Sequence, residues 1–105
     1  MRAAVALGGL LGLSGCPIPQ SRFADQLAEA ACERAEACDA LGGVDLEDCL
    51  VTTAAHVERS ILVADCDYSA ADARDCVTSV ENVPCAELLD GADPLDGCEE
   101  TCAGG

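Results

Sequence analysis

Arg22-Phe23-Ala24-Asp25-Gln26-Leu27-Ala28-Glu29-Ala30-Ala31-Cys32-Glu33-Arg34-Ala35-Glu36-Ala37-Cys38-Asp39-Ala40-Leu41 is the stretch that decides the fold. Phe23, Leu27, Ala31, Cys38 and Leu41 fall on one side at helical spacing, flanked by an alanine strip at Ala24, Ala28 and Ala35. The segment predicts a helix over 22–41, with Ser21 as its N-cap and Gly42-Gly43 as its stop.

The pattern repeats twice downstream. Asp45 can cap a second helix, with Asp48 at the third position and Val44 facing Cys49 as a hydrophobic staple. Leu46, Leu50, Thr53, Val57 and Ile61 form its inward stripe, which ends near Ala64. Ser69 with Asp72 starts a third helix that buries Ala73, Cys76, Val77 and Val80. It stops by Asn82, because Pro84 disfavours helix at Val83. Cys85 to Leu89 adds one or two further turns, and beyond Asp90 the turn signals at Gly91, Asp93-Pro94 and Asp96-Gly97 predict loop. The fold class is therefore all-α: a small disulfide-stapled bundle of three to four helices with a stapled acidic tail.

Such a bundle needs bracing. Phe23 and Tyr68 are its only aromatic residues, and a core of aliphatic side chains alone buries modest area. Eight of the nine cysteines lie in the helical part: Cys32, Cys38, Cys49, Cys66, Cys76, Cys85, Cys98 and Cys102. An even set in an exported chain reads as a disulfide framework, each bridge contributing ~2–4 kcal/mol. A zinc site is disfavoured, since there is no C-x-x-C pair and His56 is the sole imidazole. Cys98 and Cys102 are also one residue too far apart for a thiol-redox motif.

At roughly 100° per residue Cys32 and Cys38 point about 120° apart and cannot bridge each other. A hairpin turning at Gly42-Gly43 sets Cys38 level with Cys49, which predicts that pair and directs Cys32 to Cys76 or Cys85. The rest stay open among on the order of 100 connectivities.

The ninth cysteine stands apart. Arg2 precedes an apolar run from Ala3 to Leu13, too short to span a bilayer but the length of a secretory signal core. Leu13-Ser14-Gly15-Cys16 resembles the lipobox of bacterial lipoproteins. That resemblance implies diacylglyceryl transfer to the Cys16 sulfur, cleavage before Cys16 and acylation of the new amino terminus. The expected organisation is a removed signal at 1–15, a lipidated Cys16 with a proline-containing spacer at 16–21, and the helical domain at 22–105. Pro17-Ile18-Pro19 predicts an extended spacer that holds the domain off the membrane. Proline after the cysteine is similar to the pattern of lipoproteins sent to an outer membrane.

Charge narrows the partners. Twenty acidic residues face five arginines and no lysine, a formal net charge of −15. Nucleic acid is excluded for want of a basic footprint. Electrostatic adhesion to anionic headgroups is disfavoured as well, so acyl chains are the expected membrane link. The acids repel one another, and only Arg22 and Asp25 stand at i,i+3 with opposite signs.

Two stretches could carry chemistry. His56 sits beside the second stripe, with Thr52 and Ser60 one turn away on its face, but a catalytic histidine also needs a nucleophile and an orienting group. Asp90, Asp93, Asp96, Glu99 and Glu100 offer the hard oxygens calcium takes. Their spacing is not that of an EF-hand and Pro94 interrupts it. Neither makes an enzyme, and no cofactor is expected.

At C-E-R-A-E-A-C (32–38), D-C-L (48–50), C-D-Y-S (66–69) and V-P-C (83–85) the chain resembles the small cysteine-rich helical lipoproteins of myxobacterial genomes. The resemblance implies a helical fold and a place in the envelope, and it transfers no functional residues. The expectation is a non-enzymatic, lipid-anchored cell-envelope protein with a structural or protein-interaction role, its partner an envelope or extracellular protein. The alternative is a calcium-binding envelope protein that uses the acidic tail.

Overall fold

The chain condenses around one alanine-rich helix, α1 (Gln20–Ala37), in a computed structural model that describes residues 17–62, 66–96, 98 and 100–103. Four more helices follow: α2 (Leu46–Ser60), α3 (Ala70–Glu81), α4 (Cys85–Leu89) and α5 (Glu100–Ala103). Among the described residues there is no strand. The all-α, disulfide-stapled bundle expected from the sequence is the fold. α1 packs against both α2 and α3, and α5 closes on α3. Alanine is what lets α1 hold two neighbours: Ala24, Ala28, Ala30 and Ala31 are all buried along it, so both partners approach closely.

The helix ends differ from expectation in instructive ways. α1 starts two residues early, capped by the extended backbone of Pro19, and Ser21 lies inside the helix instead of capping it. It stops at Ala37, four residues short of Leu41. Asp39 takes a left-handed φ of 59°, the Ala40 N–H donates to the Ala35 carbonyl and the Asp39 N–H donates to that of Glu36. This pair of bonds is a Schellman stop with aspartate in the place glycine usually holds, one of the few residues that visits the left-handed region without heavy cost. Gly42 and Gly43, expected to end the helix, shape the following turn at φ 65° and 86°.

α2 begins after Asp45 as expected, although the Asp45 side chain makes no cap bond. Its stripe buries only Val57 within the helix and Ile61 just beyond it, and the expected staple fails because Val44 is exposed. It ends at Ser60, short of Ala64. At α3 the capping reading holds: the Asp72 N–H donates to Ser69 Oγ at 3.1 Å, and Ala73, Cys76, Val77 and Val80 are buried. The tail is not all loop. α5 forms within it, and Leu95 and Cys98 join the core.

All eight cysteines of the domain are bridged, as Cys32–Cys49, Cys38–Cys85, Cys66–Cys102 and Cys76–Cys98. The expected Cys38–Cys49 pair is wrong, and so is the routing of Cys32 to Cys76 or Cys85. Early termination of α1 is the cause. With the turn spanning 38–45, Cys38 lies beyond the end of α1, and Cys49, fourth in α2, meets Cys32, sixth from the end of α1. Cys38 then caps the helix and swings to the exit of α3, where Arg34 Nε also donates to the Val83 carbonyl at 2.9 Å.

Among the described residues few side-chain ion pairs offset the acidic charge. Arg74 pairs with the neighbouring Asp75 at 3.2 Å, both partly exposed, while Arg22 and Asp25 do not close an ion pair. Surface pairs of this kind contribute little, so repulsion among the acids remains. Raising ionic strength from 0.01 to 0.15 M shortens the screening length from about 30 to about 8 Å, and the melting temperature of the bridged domain rises with it. A calorimetric series in salt checks this; a flat or falling response contradicts it.

Candidate functional site

At the end where the chain enters the fold, a short segment before α1 packs into the core. Pro17-Ile18-Pro19, expected to be an extended spacer outside the helical domain, packs against it. Pro19 is extended (φ −66°, ψ 149°), yet Ile18 is only 6% exposed and sits in the core cluster. The reason is composition. A core this poor in large side chains gains from each aliphatic residue it can recruit, roughly 25 cal/mol per Å² of apolar surface.

Three contacts fix this end. The Tyr68 hydroxyl donates to the Ile18 carbonyl at 2.5 Å. The Phe23 ring meets Tyr68 edge to face, with centroids 5.9 Å apart and planes at 66°, a preferred aromatic geometry. The Arg22 N–H donates to the Pro19 carbonyl at 3.0 Å and opens α1. Tyr68 is itself held from behind: the backbone N–H groups of Asp67 and Ser69 donate to the Cys102 and Thr101 carbonyls, and Cys66 is bridged to Cys102. The two aromatic residues of the chain thus meet at the point of chain entry.

Burial lifts the Tyr68 phenol above its ordinary value of 10.0, because the phenolate loses water. Since the folded value is the higher one, the associated stability is intact below about pH 10 and is lost as pH rises through the folded value. Tyr68 is the only tyrosine and there is no tryptophan, so ultraviolet absorbance reports it alone. Its titration midpoint in the folded domain lies above that of the reduced, denaturant-unfolded chain; coincident midpoints contradict the burial.

The other sequence candidates remain separate from this end. His56 is exposed, with Nδ1 3.4 Å from Ser60 Oγ. Among the described residues no carboxylate bonds to it, so the pair lacks the third group that orients a catalytic base. It borders a cavity of about 370 Å³ between α1, α2 and the 93–95 loop, together with Arg59 and Ala31. In the tail, Asp93 accepts the Leu95 N–H at 3.0 Å and Asp90 caps α4. Asp96 and Glu100 face Asp72 and Asp75 of α3 across a cavity of about 210 Å³. Among the described residues no three His, Cys, Asp or Glu side chains converge as a metal site would require. Glu99 and the lipobox with Cys16 lie outside the described residues. No helix among the described residues is long and apolar enough to cross a membrane.

Sequence reading named the cysteines but missed Ile18 and Tyr68 as a pair. The available signal was an isoleucine set between two prolines in a chain with only two aromatic residues. No protein-family model, curated protein or solved structure matches this chain.

Proposed function

We propose that this is a non-enzymatic, lipid-anchored protein of the bacterial cell envelope, a rigid helical knob displayed for contact with another envelope or extracellular protein. One observation carries the reading. Nine cysteines are present and eight are consumed by four intramolecular bridges, which leaves Cys16 as the odd sulfur. It stands directly before the docked Pro17-Ile18 entry and at the end of a lipobox-like leader. A thiol left over in a bridge-braced exported domain has a different task from the rest, and lipidation is the task its flanking residues suit. Two or more acyl chains give stable attachment where one gives only marginal binding.

The envelope places this assignment in an oxidising compartment, in keeping with four structural bridges. Proline after Cys16 favours the outer membrane as the destination. The test is expression of the full chain in a bacterium with lipoprotein processing. The expected mature protein starts at Cys16, carries the mass of a diacylglyceryl group and an amide-linked acyl chain, and sediments with membranes. Cys16→Ser carries neither acyl group and keeps its uncut leader, with its four bridges intact. Recovery of unmodified, soluble wild-type protein ends the proposal.

A further inference from the structure

The lack of any free spacer has a geometric consequence. Two peptide units span at most about 7 Å, so an anchor at Cys16 holds the buried Ile18 within that distance of the lipidated residue. Ile18 is not loose, since its side chain is in the core and its carbonyl is held by Tyr68. The tether therefore fixes which end of the bundle meets the bilayer. Resting on the lipid-anchor reading above, we infer that the domain stands upright, with the Ile18–Tyr68 end against the headgroups and the α1–α2 turn pointing away.

Helix directions define the two ends. α2 runs back along α1 from the Cys32–Cys49 bridge. α3 runs parallel to α1, from Tyr68 beside Phe23 to Val83 beside Arg34 and Cys85 beside Cys38. The 18 residues of α1 measure about 27 Å, which separates the entry end from the Asp39–Val44 turn.

Charge is distributed to match. Three of the four arginines after the leader lie in the entry half: Arg22 in the first turn of α1, Arg59 in the last turn of α2 and Arg74 early in α3. They intermingle there with Asp25, Glu58, Asp67, Asp72, Asp75, Asp96 and Glu100, so this half is also net acidic, but less so than the other. The far half sets Glu36, Asp39, Asp45, Glu47, Asp48 and Glu87 against Arg34 alone, whose Nε is turned to the Val83 carbonyl. Screening reaches about 8 Å at physiological salt, so an anionic surface senses mainly the entry half. The more acidic half stays beyond its reach when the domain is upright and is repelled when it tips over. Tether and field favour one orientation.

The experiment uses the full lipidated protein in vesicles of phosphatidylethanolamine and phosphatidylglycerol that carry a headgroup-attached nitroxide quencher. The chain lacks tryptophan, so single Ser21→Trp and Leu89→Trp variants at exposed positions report the entry and far ends. Ser21→Trp loses more than half its emission and Leu89→Trp keeps nearly all of it. A ten-residue Gly-Ser insertion between Cys16 and Pro17 adds roughly 17 Å of flexible reach and reduces quenching at Ser21→Trp severalfold. That second arm guards against tryptophan seeking the interface by itself. Equal quenching at both sites, stronger quenching at Leu89→Trp, or no change on insertion overturns the orientation. Mass and vesicle flotation of the same samples are read first: absent lipid at Cys16 sinks the anchor reading, while a lipidated, floating protein without the gradient sinks only this inference.

Discussion

Exposed to excess thiol at neutral pH without denaturant, the domain loses most of its helical circular dichroism and its cooperative melt. The expectation follows from comparing two quantities. In the loop-entropy description, the Cys38–Cys85 bridge, with a separation of 47 residues, contributes about 4 kcal/mol, and Cys32–Cys49, with 17, about 3. The other two fall between. These contributions overlap, because the loops interlock, and they do not simply add. Yet a small domain has a total stability of only about 5–15 kcal/mol, and the largest fully buried side chains here are Phe23, Leu27, Val57 and Val80. Losing even two bridges brings the folded state close to balance.

The ranking is a sharper test than the collapse. Cys38→Ala/Cys85→Ala lowers the unfolding free energy from denaturant titration more than Cys32→Ala/Cys49→Ala, by about 1 kcal/mol on the loop-entropy scale. Cys38 is also the residue that ends α1, and its bridge fastens the far end of α1 to the exit of α3 beside the Arg34–Val83 hydrogen bond. A reduced domain that keeps its helicity and melts at the same temperature contradicts the assignment of the bridges as the main brace.

How much of this was legible in the residues depends on which interaction sets each feature. Helix existence came through because α1, α2 and α3 each carry a local period and local start signals, and Ser69 does cap α3. Bridge partners did not, because pairing depends on where α1 stops. The stop was set by Asp39, a residue whose left-handed conformation is stabilised by two bonds to carbonyls behind it, while the more usual signal at Gly42-Gly43 pointed four residues further on. A shift of one helical turn moves every cysteine level in the hairpin. The entry end was misread for a complementary reason. Proline chemistry correctly gave an extended backbone at Pro19, but whether an extended segment floats or docks is decided by tertiary burial. Ile18 and the Tyr68 hydroxyl are separated by 50 residues, a distance no local pattern bridges.

The entry end also gives the largest expected single-residue effect. Phe23→Ala costs about 3–5 kcal/mol by the usual range for deleting a buried aromatic side chain, and the upper part of that range applies here. Phe23 is fully buried, and several of its companions in the core, Ala24, Ala30, Ala31 and Ala73, are too short to collapse into the space left. The edge-to-face contact with Tyr68 adds roughly 0.5–1.5 kcal/mol to what is lost. The damage spreads in a readable way. Tyr68 loses its ring partner, its phenol regains water, and its absorbance titration moves down toward the unfolded value while the four bridges stay closed. Ile18 is then held less firmly, so in vesicles the lipidated Phe23→Ala protein remains attached through Cys16 but loses the quenching difference between its two ends. Phe23→Leu, which keeps most of the volume, falls between wild type and Phe23→Ala in stability. An unfolding free energy for Phe23→Ala within about 1 kcal/mol of wild type, below what burying a large side chain contributes, means that the core is not centred on the end where the chain enters.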